Sequence, residues 1–380
     1  MIENIGTFVR QNKLASFLGL AGAIGCFLLA RWFVSKTPPN EVTTKKSDAV
    51  GQEGIKKSDP TNPQASSQSN LSSKPKTQNL QLSKDRILTL KANNTVFEVK
   101  QEFLDQFDLL SNDPQPDLSE YVDSNEHPGR NRYPNVLPFK NNIFQFENLS
   151  RYFNASRVLQ ERAISCQGPL KNEHEHFWRM VWESNTTAII MLTDLVEYGH
   201  EKCSWYLPLD KEQALVFNDI FFQEGAIVVA QVDGPLKPVD NLSTGSTELV
   251  KRRLTLKYHG EQRTLTHYHL RGWGDFKAVP EMTLAELVLT VLEKHFSQGE
   301  HIISHCSAGI GRSGTFLATL GALSQLNHEP VNNNLVMDTV RQLRSPDDGR
   351  AGMVQTKEQY GLIFKTLAVL DPQCQQEFCT

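Results

Sequence analysis

The sequence predicts one α/β domain, built on a highly twisted, mixed β-sheet with helices packed against it. Three observations carry this. Short apolar runs of strand length, Thr187–Leu192 and Ala226–Ala230, look like interior strands and alternate with segments of helical periodicity. Leu249–Tyr258 and Arg263–Leu270, parted by Gly260, have the pattern of an antiparallel hairpin. Ile302–His305 is a third apolar run, which leads through a loop of small residues into the Ala/Leu-rich stretch Thr315–Leu323. Strands that alternate with helices in this way call for a sheet covered by helices.

A chain of 380 residues has room for one large domain or two small ones. A hydrophobic share of 39% supports a sizeable core, and 22% charged residues is ordinary for a globular protein. The net charge of −4 argues against a general nucleic-acid binder. Cys26, Cys166, Cys203, Cys306, Cys374 and Cys379 show no framework spacing, which suggests a reducing compartment and not a disulfide scaffold. No Cys-x-x-Cys pair occurs, and His174 and His176 stand two apart, so that a helix would turn them to different faces. No metal centre is expected.

Taken in order, residues 1–13 form an N-terminal tail. Leu14–Val34 is apolar apart from Ser16 and Arg31. At about 1.5 Å per residue, a helix of that length measures about 31 Å and can span a bilayer core. Residues 14–34 are therefore expected to be a membrane anchor, with Arg31 and Trp32 at the interface. A cleaved signal peptide and a buried helix are the alternatives. Small residues at Ala21-Gly22-Ala23 lie inside the apolar run, where a cleavage site is out of place. Arg31, Lys36, Lys45 and Lys46 outweigh Arg10 and Lys13, which predicts a cytosolic C-terminal side. Residues 35–83 are rich in Pro, Ser, Thr, Asn, Gln and Lys and read as a flexible linker.

Residues 84–375 should form the domain, with 376–380 as a tail. Val96, Val99, Phe103, Phe107 and Leu110 predict one amphipathic helix, stopped by Asp113-Pro114-Gln115-Pro116. Further helices are marked by Leu284, Leu287, Val288, Val291 and Leu292, by Leu335, Val336, Val340 and Leu343, and by Tyr360 to Leu370.

The stretch from Ile302 to Gly314 carries the chemistry. A strand, a small-residue loop and a helix N-terminus present several backbone N–H groups to one anion. The same donors stabilise a thiolate and draw a cysteine pKa from ~8.5 into the range of about 3.5–7.5. Arg312 supplies a planar fork suited to a tetrahedral oxyanion. A nucleophilic sulfur in a dianion cradle points to attack on phosphorus. The competing explanation, a buried structural cysteine beside a surface arginine, leaves the coincidence of all these features in one loop unexplained. A nucleotide-binding glycine-rich loop lacks its Gly-Lys-[Ser/Thr] ending here.

His305-Cys306, five residues, then Arg312-Ser313-Gly314 resembles the signature of the cysteine-dependent protein tyrosine phosphatases. The resemblance runs over roughly residues 85–372 and implies that family's fold and activity. It implies Cys306 as nucleophile, with Ser307, Ala308, Gly309, Ile310 and Gly311 binding phosphate beside Arg312. Ser313 would bond the leaving sulfur, and His305 would support the loop from behind. Gly272-Trp273-Gly274-Asp275-Phe276 resembles the loop that bears the proton donor, Asp275, with Gly274 where the family pattern has Pro. Such a glycine should enlarge the open-state ensemble and make closure dearer in entropy.

Other segments fall in the family's order. Arg130-Asn131-Arg132-Tyr133 resembles the phosphotyrosine loop, with Tyr133 as an aromatic wall and Asn135 where an acid usually holds the substrate backbone. Arg151–Ser156 and Gln167–Glu183 resemble structural segments, and Asn154-Ala155-Ser156 also fits a glycosylation sequon. In Glu197-Tyr198-Gly199-His200-Glu201-Lys202, the resemblance implies that Glu197 pins Arg312 and Lys202 contacts the acid loop. Gln355 would position the hydrolytic water with help from Gln359, and Arg350-Ala351-Gly352 resembles a gateway to the pocket.

The expected function is hydrolysis of phosphotyrosine in proteins, from a membrane tether, with no cofactor and no nucleic acid. A silent phosphotyrosine-binding module is the alternative, disfavoured by the intact Cys306, Arg312 and Asp275. A dual-specificity or lipid phosphatase is disfavoured by Tyr133, which deepens the pocket. Substrate identity and oligomeric state stay open.

Overall fold

Strand and helix alternate much as the apolar periodicities predict. The computed structural model describes residues 77–380, apart from positions 210, 212, 219–224 and 236–245. Helices α1 (Thr77–Ala92) and α2 (Gln101–Ser111) lead into β1 (Ala155–Val158), β2 (Ala163–Cys166), α3 (His174–Glu183) and β3 (Thr186–Met191). A short ribbon, β4 (Val196–Glu197) and β5 (His200–Glu201), precedes β6 (Leu215–Phe217), β7 (Ile227–Asp233), β8 (Glu248–Tyr258) and β9 (Glu261–Arg271). Then come α4 (Glu281–Lys294), β10 (His301–His305), α5 (Arg312–Leu326), α6 (Leu335–Arg344), α7 (Lys357–Leu370) and α8 (Pro372–Phe378).

Eight strands make one mixed sheet in the order β1-β2-β10-β3-β9-β8-β7-β6. β10 runs parallel to β2 and β3, and β3 runs parallel to β9; the outer pairs are antiparallel. Burial explains the division. The parallel strands lie between two apolar layers, one built with α4, α5 and α7 and the other with α3. In β3, Ala188 and Ile190 enter the first layer, and Ile189 and Met191 enter the second. Every residue of α5 from Arg312 to Leu323 is buried, which is why its apolar residues surround the helix without forming a stripe. His305 pairs with both Cys166 and Met191, so three parallel strands end together and place their following loops along one edge of the sheet.

Several boundaries differ from expectation. Residues 77–83, expected in the linker, belong to α1, where the Ser83 hydroxyl donates to the Leu370 carbonyl at 3.1 Å. The single helix expected from Val96 onward begins only at Gln101. Asn94, in the left-handed region at φ 48°, turns the chain after α1, and Val99 pairs with Cys379. Residues 376–380 are no loose tail. Phe378 is fully buried, with its ring 5.0 Å from those of Phe103 and Phe364, and the Thr380 amide donates to Glu98. The run Ala226–Ala230 does enter an inner strand, β7, but buries only alternate residues, the pattern of a strand with one face in the core.

No helix among the described residues is long and apolar enough to cross a membrane. The expected anchor, residues 14–34, lies outside the described residues.

Candidate active site

The loop between β10 and α5 closes around the Cys306 sulfur. Gly309 makes this possible. Its φ is +77°, and a Cβ there would stand 2.3 Å from the Cys166 carbonyl, so only glycine fits. The Gly309 amide points back and donates to Cys306 Sγ at 3.3 Å. Neighbouring strands brace the loop from outside: the Gly168 amide donates to Ser307 O at 2.8 Å, and Ser165 Oγ donates to Gly309 O at 2.8 Å.

Cys306 is 3% exposed, and burial alone would raise its pKa. Against that, the Arg312 guanidinium and hydrogen bonds from the Ser313 and Gly309 groups bring it below the usual thiol value. Ser313 Oγ forms no well-aligned hydrogen bond, yet it lies near enough to the sulfur to share in this lowering. The other described cysteines behave oppositely. Burial pushes the Cys166, Cys203 and Cys374 thiols well above their usual value, and Cys379 up to about 11.

Arg312 is fully buried at the first position of α5. Burial disfavours its charge, but Cys306, Glu197 and Asp275 raise its pKa above the ordinary value. Its Nη1 donates to Glu197 Oε1 at 2.5 Å and to the Trp273 carbonyl at 2.6 Å, and Nη2 donates to Asp275 Oδ1 at 3.3 Å. Glu197 is held in turn by the Thr193 hydroxyl at 2.9 Å.

Asp275 stands across the cradle in a loop held shut. Lys202 Nζ donates to Asp275 Oδ2 at 2.9 Å, and the Asp275 amide donates to Glu197 Oε2 at 3.1 Å. The Gly272 amide donates to Asp194 Oδ2 at 3.0 Å. Trp273 is fully buried and anchors the loop through Nε1, which donates to the Lys277 carbonyl at 2.7 Å.

Tyr133 and Gln355 complete the walls. Tyr133 Oη lies 2.9 Å from Ser307 Oγ, which itself donates to the Lys202 carbonyl at 2.9 Å. A Cβ on Gly311 would stand 2.4 Å from Gln355 Oε1 and 3.2 Å from Gln359 Nε2, so both glutamines lie against the phosphate loop. Gln359 Oε1 accepts from the Gln355 amide at 2.8 Å. His305 lies behind the loop, with Nδ1 near Cys306 O at 3.2 Å and Nε2 2.7 Å from Tyr206 Oη. Burial lowers its pKa to about 4, so the ring is neutral.

The structure thus brings Cys306, Ser307, Gly309, Gly311, Arg312, Ser313, Asp275, Tyr133, Lys202, Glu197, Gln355 and Gln359 to one place. Asn135 is exposed and lines a groove with Tyr121, Val122 and Leu137. Arg350, expected at a gateway, is fully buried and donates to Asn154 Oδ1 at 2.5 Å and to the Ser165 carbonyl at 3.3 Å. It is a brace between β2 and the loop before α7, and it explains why Asn154 of the sequon is buried. Sequence reasoning missed Thr193, Asp194 and Tyr206: Asp194 and Tyr206 act through Gly272 and His305, far away along the chain, and Thr193 acts only through Glu197, four residues on. Among the described residues, no three His, Cys, Asp or Glu side chains converge as a metal site.

A buried, activated cysteine facing an arginine and an aspartate defines a cysteine phosphatase cradle. Residues 127–369 match the family model described as protein-tyrosine phosphatase. The chain is 33% identical over 289 residues to human receptor-type tyrosine-protein phosphatase zeta, covering 71% of this chain and 12% of that protein. It is 33% identical over 256 residues to human tyrosine-protein phosphatase non-receptor type 2, covering 65% of this chain and 56% of that protein. Chicken receptor-type tyrosine-protein phosphatase eta is 34% identical over 65% of this chain and 17% of its own length. The chain belongs to the protein-tyrosine phosphatase family.

Proposed function

We propose that this chain hydrolyses phosphotyrosine in proteins through a phosphocysteine intermediate. The observation that carries the reading is the Cys306 sulfur, held by the Gly309 amide within the loop that Arg312 closes, with Asp275 bonded to the same guanidinium. The Cys306 thiolate attacks phosphorus in line with the tyrosine oxygen, and the P–O bond to that oxygen breaks. The amides of residues 307–312 and the Arg312 guanidinium hold the equatorial oxygens. Arg312 Nε is buried without a hydrogen-bond partner, which leaves a donor for phosphate.

Asp275 gives its proton to the leaving phenolate. A bound dianion draws the Arg312 fork to itself, which frees the Asp275 carboxyl to face the leaving oxygen. In the second displacement, Asp275 takes a proton from a water aligned by Gln355 and Gln359. That water attacks phosphorus, the S–P bond breaks, and Ser313 bonds the departing thiolate. The chemistry needs neither metal nor organic cofactor. Tyr133 makes the pocket deep, so aryl phosphates reach the sulfur and phosphoserine falls short.

Membrane tethering belongs to the same reading. The length and composition of residues 14–34 support a single-pass anchor, and the basic residues after it support a domain facing the cytosol. Carbonate extraction and protease protection test this: a protein released by carbonate, or a domain shielded in a lumen, overturns it. For the activity, phosphotyrosine, phosphoserine and phosphoinositide substrates are compared on the full chain, with acid quench to trap phosphate on Cys306. Comparable turnover of phosphoserine overturns the deep-pocket specificity, and phosphopeptide binding without turnover overturns the enzyme reading.

A further inference from the structure

Three residues of the acid loop are gripped by side chains from other segments. Gly272, Trp273 and Asp275 are held by Asp194, Arg312, Glu197 and Lys202 through the bonds described above. Gly274 lies between them, has no side chain to grip, and sits directly before the proton donor. Its carbonyl accepts from the Lys277 amide at 3.2 Å, closing a turn in which Phe276 has a φ of 59°. The atoms nearest to a Cβ built on Gly274 are those of the Lys277 stem, at 3.5 and 3.9 Å, and the Tyr198 hydroxyl, at 3.8 Å.

Tyr198 reaches that point from an unusual place. Glu197 pairs with His200, so Tyr198 and Gly199 form the two-residue tip of the β4–β5 ribbon. Both have positive φ, 51° and 78°. This is the type I′ geometry, whose first position favours Asn, Asp or Gly and is strained for a bulky side chain. The ring is 75% exposed, so burial does not offset the strain. A disfavoured residue held in a strained state beside the reacting groups is a mark of a working position.

We propose that Tyr198 is a positioning residue for the acid loop: its phenol lies beside Gly274 and narrows the conformations open to the glycine directly before Asp275. The inference rests on the reading of Asp275 as proton donor. Tyr198 touches no reacting atom. It restricts the states that Gly274 can adopt, so more of the population holds Asp275 in place.

The test compares four full-length proteins: wild type, Tyr198→Asn, Gly274→Pro and the double variant. Each is assayed on phenyl phosphate and p-nitrophenyl phosphate and melted thermally. Asn suits the first tip position, so Tyr198→Asn is expected to keep or raise Tm. Its kcat on phenyl phosphate should fall about two- to fivefold, the scale of a backbone restraint lost, with KM unchanged. The nitrophenyl substrate should lose less, because its leaving oxygen depends less on the proton. In the Gly274→Pro background the loss should vanish, since the ring already restrains the backbone. Equal losses in both backgrounds, equal losses on both substrates, an unchanged kcat or a raised KM would each overturn the proposal. If Tyr198→Asn does not fold, Tyr198→Phe, which keeps the ring and removes the hydroxyl, carries the same comparison. Asp275→Asn serves as control. If it leaves the ratio between the two substrates as in the wild type, the proton-donor reading fails and takes the role of Tyr198 with it.

Discussion

The phosphate loop and the acid loop face each other across the same pocket, yet they are held in opposite ways. The phosphate loop is continuous in sequence, buried, and shaped by backbone groups: the Gly309 amide on the sulfur, and the Gly168 amide and Ser165 hydroxyl on its outer side. The acid loop is held by side chains from other segments, namely Asp194, Glu197, Lys202 and Arg312. Backbone geometry set by glycines is rigid and cannot be withdrawn. Side-chain ion pairs at a partly exposed site exchange with water and with an arriving anion. Arg312 belongs to both systems, and one guanidinium joins the rigid half to the movable half.

The contrast can be broken most severely at the sulfur. Cys306→Ser should abolish turnover, because a serine hydroxyl offers no accessible anion near neutral pH, while phosphopeptide binding survives on the amides and Arg312; calorimetry reads the second half. Next in size, Asp275→Ala should lower kcat by ~10²–10⁴, the usual contribution of a positioned acid. Retention of full kcat would mean that the acid loop holds no catalytic group.

A pH experiment separates Cys306 from its buried neighbours. Iodoacetate reacts with thiolates, and the Cys306 pKa is lowered while those of Cys166, Cys203, Cys374 and Cys379 are raised. Lowering pH removes thiolate only below each group's own pKa. At about pH 6, below the usual thiol value of about 8.5, alkylation mapped by mass spectrometry should therefore fall on Cys306 alone among these five. Phosphate should protect it. Uniform labelling would deny the cradle its electrostatic effect.

Glu197→Ala tests the joint between the two halves. Arg312 is fully buried and the Glu197 side chain nearly so, so removing one partner should cost about 3–5 kcal/mol of stability, read by denaturant unfolding. It should also lower kcat, since both the fork and the Asp275 amide lose their support. The smallest effect is expected at the rim: Tyr133→Ala should weaken aryl phosphate binding by about 1 kcal/mol, the scale of an aromatic contact. An unchanged KM, with chemistry still slow, would show that pocket depth comes from elsewhere.

The sequence by itself determined the inner strands, the helix behind the phosphate loop and the loop's chemistry. These rest on contiguous patterns: an apolar run for a strand buried on both faces, glycines where backbone approaches backbone, an arginine at a helix start. Helix α1 and the docked C-terminus were not legible. The sequence of α1 is largely polar, and Phe378 finds its partners in Phe103 and Phe364, far away along the chain. Arg350, expected at a gateway to the pocket, proves to be a buried brace, because its acceptors are Asn154 and the Ser165 carbonyl. The grip on the acid loop was likewise decided only in the tertiary structure. Asp194 and Tyr198 are ordinary residues in a short polar ribbon until β3 and β9 pair in parallel and bring that ribbon against Gly272 and Gly274. Local patterns encode what neighbouring residues do to the backbone; a contact between a side chain and a backbone about 75 residues away exists only once the sheet has set its register.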